Sequence, residues 1–156
     1  SYMVLPLHLL KKYQESCSFY STTVSKIQQE VLREFIRGGY FGRHLNKMRG
    51  IYKNKHDFLV GELKKKNWVE NIAGEIAGLH VLVQVNTTLT EEEICKKAAE
   101  CGIRLMGIRE HYIHTPPEGR PVLLLGYGKP DEQEIQKGLE VLESIVLENR
   151  IPLPLR

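Results

Sequence analysis

The stretch QEVLREFIRGGYFGRHLNKMRGIYKNK, residues 29 to 55, contains two helical patterns separated by a break. Apolar residues recur every three or four positions on both sides of Gly38 and Gly39, which predicts one helix before the glycines and another after them. Glycine is the usual residue at a left-handed helix end, so the first helix should end there. The second should run from Tyr40 for about 25 residues, because no strong helix breaker precedes Lys66.

The sequence before this stretch begins with a short apolar run. Residues Tyr2–Leu5 are followed by Pro6, a pattern typical of the end of a buried strand. Leu7–Glu15 should form a short helix, and the polar stretch Ser16–Thr23 offers N-cap candidates for the next one. A lone strand and two long helices have no sheet of their own to pack against. This arrangement indicates a chain taken from a larger protein.

Beyond the long helix, the apolar pattern changes to alternation. Large apolar residues at every second position predict a strand over Gly78–Asn86 with one buried face. The remaining predicted elements are a helix capped by Thr90 and Glu93 and ended by Cys101-Gly102, strands over Ile103–Ile108 and Pro121–Tyr127, and an amphipathic helix over Asp131–Asn149. The fold class expected is therefore α/β with an α+β-like second half, a two-layer unit with helices on one face of a mostly antiparallel sheet.

Composition limits the class of protein. The chain has 156 residues, of which 42% are hydrophobic and 26% charged, which suits one ordinary domain or a small domain with an appendage. Its apolar runs are far shorter than the roughly 20 residues that span a bilayer. Three cysteines without paired spacing argue against a disulfide framework and a zinc ribbon. We expect a soluble intracellular protein without a membrane partner.

No set of residues is assigned to catalysis or to metal binding. Only His111 and His114 form a close histidine pair, and a metal site would need further ligands from elsewhere. Between Arg43 and Lys66, eight basic residues accompany two acidic ones, so direct nucleic-acid binding is an alternative. The scatter of these charges around the helix favours a structural role.

Three motifs, taken together, resemble those of MocR-type regulators, the GntR-family transcription factors fused to an aminotransferase-like domain. They are the set Gln29, Phe35, Ile36, Gly39, Phe41, Arg43, His44, Met48, Arg49 and Tyr52, the run Tyr2–Pro6 and the run Leu123–Tyr127. The resemblance covers nearly the whole chain. It implies a fold-type-I aminotransferase scaffold, in which residues 1–66 are the tail of the large domain with the interdomain helices and residues 67–156 are the small C-terminal domain.

The resemblance also implies a cofactor and partners. The longer parent protein should bind pyridoxal phosphate through a Schiff-base lysine located upstream of Ser1, so this chain alone should bind no cofactor and catalyse nothing. The parent should carry an N-terminal winged helix that binds DNA, respond to an amino-acid-like effector, form a homodimer and reside in the cytoplasm. The missing large domain and winged helix are thus expected partners of this chain. The alternative is a fragment of a working aminotransferase of the aminoadipate type.

One position departs from the aminotransferase pattern. Many aminotransferases carry an arginine that binds the substrate carboxylate on the strand matching Pro121–Tyr127, and Leu124 stands at that position here. Arg120 is the nearest guanidinium in the sequence. We therefore predict Leu124 and Arg120 as residues of the substrate or effector pocket. Either another residue binds the carboxylate of the ligand, or the ligand lacks a carboxylate at that end.

Overall fold

This computed structural model describes residues 4–17, 19–20, 24–74, 78–114 and 118–149, which form two compact units, residues 1–46 and 47–156. The helices are α1 (Leu7–Cys17), α2 (Lys26–Arg37), α3 (Tyr40–Lys64), α4 (Glu91–Glu100) and α5 (Glu132–Leu147), with a 3-10 helix at Arg109–His111. The strands are β1 (Val69–Ala73), β2 (His80–Val85), β3 (Met106–Gly107) and β4 (Val122–Gly126). Helix α3 begins in the first unit and ends in the second.

The first unit confirms the helix, break and helix around the two glycines. Gly39 has a φ of 72°, the left-handed conformation that glycine adopts without strain. The expected N-cap within Ser16–Thr23 is wrong, because Ser25 caps α2 and its hydroxyl accepts a hydrogen bond from the Gln28 backbone N–H. Residues 1–3, 18 and 21–23 lie outside the described residues. Of the strand expected over Tyr2–Leu5, only Val4 and Leu5 are described, and neither is in a strand.

The second unit contains an antiparallel sheet with the strand order β1-β2-β4-β3. Strand β1 was not expected from the sequence, because two of its five residues, Glu70 and Asn71, are polar. Its pairing with β2 is irregular between Val69 and Asn71. Strand β3 is shorter than the expected Ile103–Ile108, because the Ile103 N–H donates to Ala98 at the end of α4 instead of to a strand. The mostly antiparallel sheet is confirmed.

The core lies between the sheet and the helices of the second unit. Side chains of Val81, Val83 and Val85 on β2 are fully buried, as their alternation predicted. They pack in one cluster with the end of α3, with α4 and with the apolar stripe of α5. Leu82 and Leu124 belong to the opposite, half-buried face. One face of the sheet is thus covered by helices, and the other is available for a site.

Complete capping boxes begin three helices. Besides Ser25 with Gln28 on α2, they are Thr90 with Glu93 on α4 and Asp131 with Glu134 on α5. In each box the first residue accepts from the backbone of the second, whose side chain accepts from the backbone of the first. The sequence predicted the box on α4, which is confirmed.

Trp68 links the start of β1 to α5. The Trp68 side chain is fully buried, and its indole N–H donates to Glu143 at 3.1 Å. The other carboxylate oxygen of Glu143 accepts from the Lys66 ammonium at 2.8 Å. The Lys66 hydrogen bond is the main cause that lowers the pKa of Glu143 below its ordinary 4.5.

Acid should weaken this link. Because the pKa of Glu143 is lower in the folded chain, its ionised form stabilises the fold above about pH 4.5 and loses that contribution as the pH falls through the folded pKa. Chemical denaturation at neutral and acidic pH should therefore show that Glu143→Gln destabilises the chain more at pH 7 than below pH 4. The exposed Glu140→Gln is the control, and a Glu143→Gln effect independent of pH would contradict the prediction.

No helix in the described part of the chain is both long enough and apolar enough to cross a membrane. The expected domain boundary after residue 66 stays a prediction, although the two compact units meet at residues 46 and 47.

Candidate functional site

The uncovered face of the sheet carries a cavity of about 310 Å³ at one end of β2 and β4. Side chains at alternate strand positions, Leu82 and Gln84 on β2 and Val122 on β4, form part of its wall. Because Gln84 pairs with Val122 and Leu82 with Leu124, these positions share one face of the pleated sheet. Two arginines, Arg109 and Arg120, complete a polar rim.

Arg120 is held at this rim by two partners. Its Nη1 donates to the side-chain oxygen of Asn86 and forms an ion pair with Glu70 of β1. Asn86 is itself buried and donates its backbone N–H to the Trp68 carbonyl at 2.8 Å. The guanidinium is thus fixed at the cavity. Both of its partners contact the same nitrogen, and its side chain remains 35% exposed.

Leu124 lies on the same face but beyond the cavity wall. It pairs with Leu82 on one side and Met106 on the other, and it is half-buried. The two predicted residues are four positions apart, roughly 13 Å along an extended chain. The structure therefore places Arg120 in a polar cavity and Leu124 in an adjoining apolar patch with Leu82, and a role of either in binding stays a prediction.

Arg109 is a candidate that sequence reasoning missed. Its Nη2 donates to the Gly119 carbonyl at 3.2 Å, and its Nε lies 3.8 Å from the Glu91 carboxylate. The residue follows β3, which runs antiparallel to β4, so the chain brings it beside Arg120. Only the pairing of β3 with β4 could have indicated that the two arginines are neighbours, because eleven positions separate them in sequence.

Glu91 holds this end of the sheet together. Its buried carboxylate accepts the Arg109 N–H at 2.8 Å and the Val122 N–H at 2.9 Å. A side chain at Gly107 would place a Cβ 2.7 Å from the Glu91 Cβ, so only glycine fits there without displacement. Glu91 is therefore a structural acceptor for the ends of β3 and β4 that lie next to the arginines.

Three lysines on and after α3 have partners that do not fit the site of pyridoxal phosphate, the cofactor that the aminotransferase resemblance implies. A Schiff-base lysine needs a neutral amine at reaction pH, but the Asp57 hydrogen bond raises the pKa of Lys53. Lys55 donates to the Gly128 and Lys129 carbonyls, and Lys66 donates to Glu143. These basic residues on and after α3 thus support the fold. Among the residues that the structure describes, no cluster of His, Cys, Asp and Glu could hold a metal.

Comparisons with known proteins identify the class. No family model matches the chain. It is 34% identical over 145 residues to the uncharacterized HTH-type transcriptional regulator YdeL and 33% identical over 146 residues to the uncharacterized HTH-type transcriptional regulator YhdI, both of Bacillus subtilis. Each match covers 92% of the chain. The probable rhizopine catabolism regulatory protein MocR of Rhizobium meliloti is 26% identical over 99% of the chain.

The chain is homologous to MocR and HTH-type transcriptional regulators. The similarity to MocR-type regulators stated from the motifs is thereby confirmed. The chain spans about a third of each relative, 31% of YdeL and of MocR and 30% of YhdI. The similarity therefore does not extend to the activity and partners of a whole MocR-type protein.

Solved structures show which fold the chain adopts. A multiple substrate aminotransferase from Thermococcus profundus superposes with a TM-score of 0.77, and the kynurenine aminotransferase of Pyrococcus horikoshii superposes with a TM-score of 0.76. Their sequence identities are 18% and 19%, and each match covers 91% of the chain and 35% of the solved one. An archaeal alanine:glyoxylate aminotransferase gives a TM-score of 0.67 at 25% identity over 78% of the chain. The expected α/β fold of an aminotransferase small domain is confirmed.

Proposed function

We propose that this chain is part of the aminotransferase-like, effector-sensing domain of a MocR-type transcriptional regulator. The observation that carries the proposal is the combination of two similarities over the same residues. The relatives by sequence are HTH-type regulators, whereas the fold is that of aminotransferases. A domain of this kind would sense a small molecule and pass the signal to a DNA-binding region elsewhere in the longer protein.

The cofactor and the DNA contact belong to the rest of the regulator in this proposal. Pyridoxal phosphate supplies an aldehyde that reacts with amines, which suits a sensor of amino-acid-like molecules. Lys53, Lys55 and Lys66 have other partners, so in this proposal the cofactor lysine would belong to another part of the longer regulator. The N-terminal winged helix of the parent would bind DNA, and the parent would act as a homodimer in the cytoplasm.

Within this chain, the uncovered sheet face would meet the effector. Arg120 is fixed at the cavity and partly exposed, which supports a proposal that its guanidinium would bind a carboxylate of the effector. Leu124 and Leu82 form an apolar patch beside it, which suits an uncharged part of the same molecule. Leucine at position 124 favours a sensor over a transaminase, because the arginine usual in many aminotransferases is absent there.

A DNA-binding assay on the full-length regulator tests the proposal. Binding to its own promoter should change when pyridoxal phosphate and individual amino acids are added, and the change should require both. Product analysis under the same conditions should find no transfer of the amino group. Catalytic turnover without an effect on DNA binding would instead support the alternative, a working aminotransferase.

Replacing Arg120 with lysine tests the effector site. Arg120→Lys keeps a positive charge beside Glu70 but loses the planar fork that binds a carboxylate through two nitrogens. We expect the effector to bind the full-length regulator about tenfold more weakly, which corresponds to roughly 1.4 kcal/mol. The control is Arg104→Lys, because Arg104 is exposed and is not part of the cavity wall. Titration calorimetry showing equal affinities for the two variants would exclude Arg120 from the site.

A further inference from the structure

Another cavity, of about 400 Å³, lies on the helix-covered face of the sheet and is called the helix-side cavity below. Three elements of the second unit supply buried side chains to its wall, namely Leu59 on α3, Leu125 on β4, and Leu139 and Leu142 on α5. Val122 on β4 lines the cavity beside Arg120, and Leu125, three positions later, belongs to the opposite face of the strand. The sheet therefore separates the two cavities.

The buried part of the wall favours an apolar ligand. Leu59, Leu125, Ile135, Leu139 and Leu142 all line the helix-side cavity, and each is at most 7% exposed. Such side chains offer water no hydrogen bonds, so an apolar group that displaces the water should bind favourably. The volume lies within the range of about 300–1,000 Å³ that is typical of small-molecule sites.

Gly138 keeps part of the helix-side cavity open. It lies inside α5, about one turn from both Glu134 and Leu142, and all three residues line the cavity. Glycine inside a helix is less favourable than alanine. A Cβ at Gly138 would meet no described atom within 4 Å apart from the adjacent backbone of α5, so close packing does not require glycine there. The missing side chain instead leaves space that a ligand can fill.

The exposed part of the wall is positively charged. Arg104 and Lys129 line the helix-side cavity, both are exposed, and neither forms an ion pair within the described parts of the chain. Glu134 also lines the cavity, but its carboxylate accepts the Asp131 N–H at 2.9 Å in the capping box of α5. A carboxylate at the exposed end of the cavity would therefore meet two cations that have no acidic partner.

We propose that the helix-side cavity binds a small apolar carboxylate. Its hydrocarbon part would lie against the buried leucines and in the space beside Gly138, and its carboxylate would lie near Arg104 and Lys129. The inference goes beyond the proposed function, because no described residue lines both this cavity and the one beside Arg120. The ligand would contact α3, β4 and α5 together, so its binding should stabilise the second unit against unfolding.

Octanoate, an eight-carbon carboxylate, is the probe for this site. Titration calorimetry should detect its binding both to the chain of residues 1–156 and to the full-length regulator. Hexanoate should bind about fifteenfold more weakly, because each buried methylene strengthens binding about fourfold. Equal affinities for the two acids would overturn the inference. Binding to the chain but not to the full-length regulator would also overturn it, because another part of the polypeptide would then occupy the cavity.

Filling the cavity tests the position of the ligand. In the full-length regulator, Gly138→Leu should weaken octanoate binding at least about tenfold without lowering the thermal stability, because leucine favours a helix and has space there. The smaller Gly138→Ala should weaken binding less and replaces the leucine variant if that variant does not fold. Gly61→Leu is the matched control, because Gly61 is also a helix glycine with open space around it and lies outside the cavity wall. Equal octanoate affinities of the Gly138 and Gly61 variants would overturn the inference.

Removing the two cations tests the recognition of the carboxylate. Arg104→Gln combined with Lys129→Gln should weaken octanoate binding about tenfold and leave the binding of octanol, which has no charge, unchanged. The control combines Lys96→Gln with Lys137→Gln, because both lysines are exposed and lie outside the cavity wall. An equal loss of octanoate affinity in the two double variants would show only a general effect of charge. That result, or an equal loss for octanoate and octanol, would overturn the inference.

Discussion

Replacing Trp68 with alanine should lower the free energy of unfolding of the chain by about 3–5 kcal/mol. The indole is fully buried, so alanine leaves a large cavity between β1 and the helices. It also removes the donor that binds one oxygen of Glu143. Urea denaturation followed by circular dichroism would measure the change. Fluorescence is unsuitable for the variant, because Trp68 is the only tryptophan.

Trp68→Phe separates packing from hydrogen bonding. Phenylalanine fills much of the volume and lacks the N–H, so the loss should be smaller than for alanine, with about 1 kcal/mol attributable to the hydrogen bond. A second substitution, Glu143→Gln, should then cost less in the Trp68→Phe background than in the original chain, because the two groups interact. A Trp68→Ala variant as stable as the original chain would show that the indole is not part of the core.

Replacing Glu91 with alanine should destabilise the chain by about 2–4 kcal/mol. The carboxylate accepts the backbone N–H groups of Arg109 and Val122, and both would lose their acceptor at a partly buried position. These N–H groups mark the end of the β3 and β4 pair, so the pair should open there. Hydrogen exchange of the Arg109 and Val122 amides should accelerate together in the variant.

Glu92→Ala is the matched control for Glu91→Ala. Both residues lie in the first turn of α4 and interact similarly with the helix dipole, but Glu92 is exposed. Its replacement should therefore cost about 0.5 kcal/mol or less. If the two alanine variants lost the same stability, the strand contacts of Glu91 would contribute nothing and the dipole would explain both.

Local signals in the sequence predicted most of the helices. The glycines at 38 and 39 and the capping box of Thr90 with Glu93 involve residues close together in sequence, and the structure confirms each. The alternation in β2 was equally clear, because its buried face carries three valines. Elements whose signals lie within a few residues can be identified without tertiary information.

Strands at the two edges of the sheet could not be predicted as well. Strand β1 contains Glu70 and Asn71, which are poor strand formers, and forms because β2 offers a ladder to it. Strand β3 has only two residues, because the end of α4 takes the N–H of Ile103. In both cases a partner distant in sequence decides the conformation.

The candidate site could likewise be predicted only where its signals are local in sequence. Leu124 could be selected from the motif on β4 and Arg120 from its closeness to that motif in sequence, but their surroundings could not be predicted. The ion pair of Arg120 with Glu70, the proximity of Arg109 and the acceptor role of Glu91 all depend on strand pairing. The sequence therefore indicated the strand beside the site, whereas the pairing of strands in the sheet determines which residues surround it.

The three capping boxes bear on the order of events during folding. Each box closes over three residues, so the starts of α2, α4 and α5 can be set within microseconds and before the chain is compact. Strands β2 and β4 must instead find each other across a loop that contains α4 and β3. That long-range closure should limit the folding rate of the second unit, while the caps restrict the search by fixing where each helix begins.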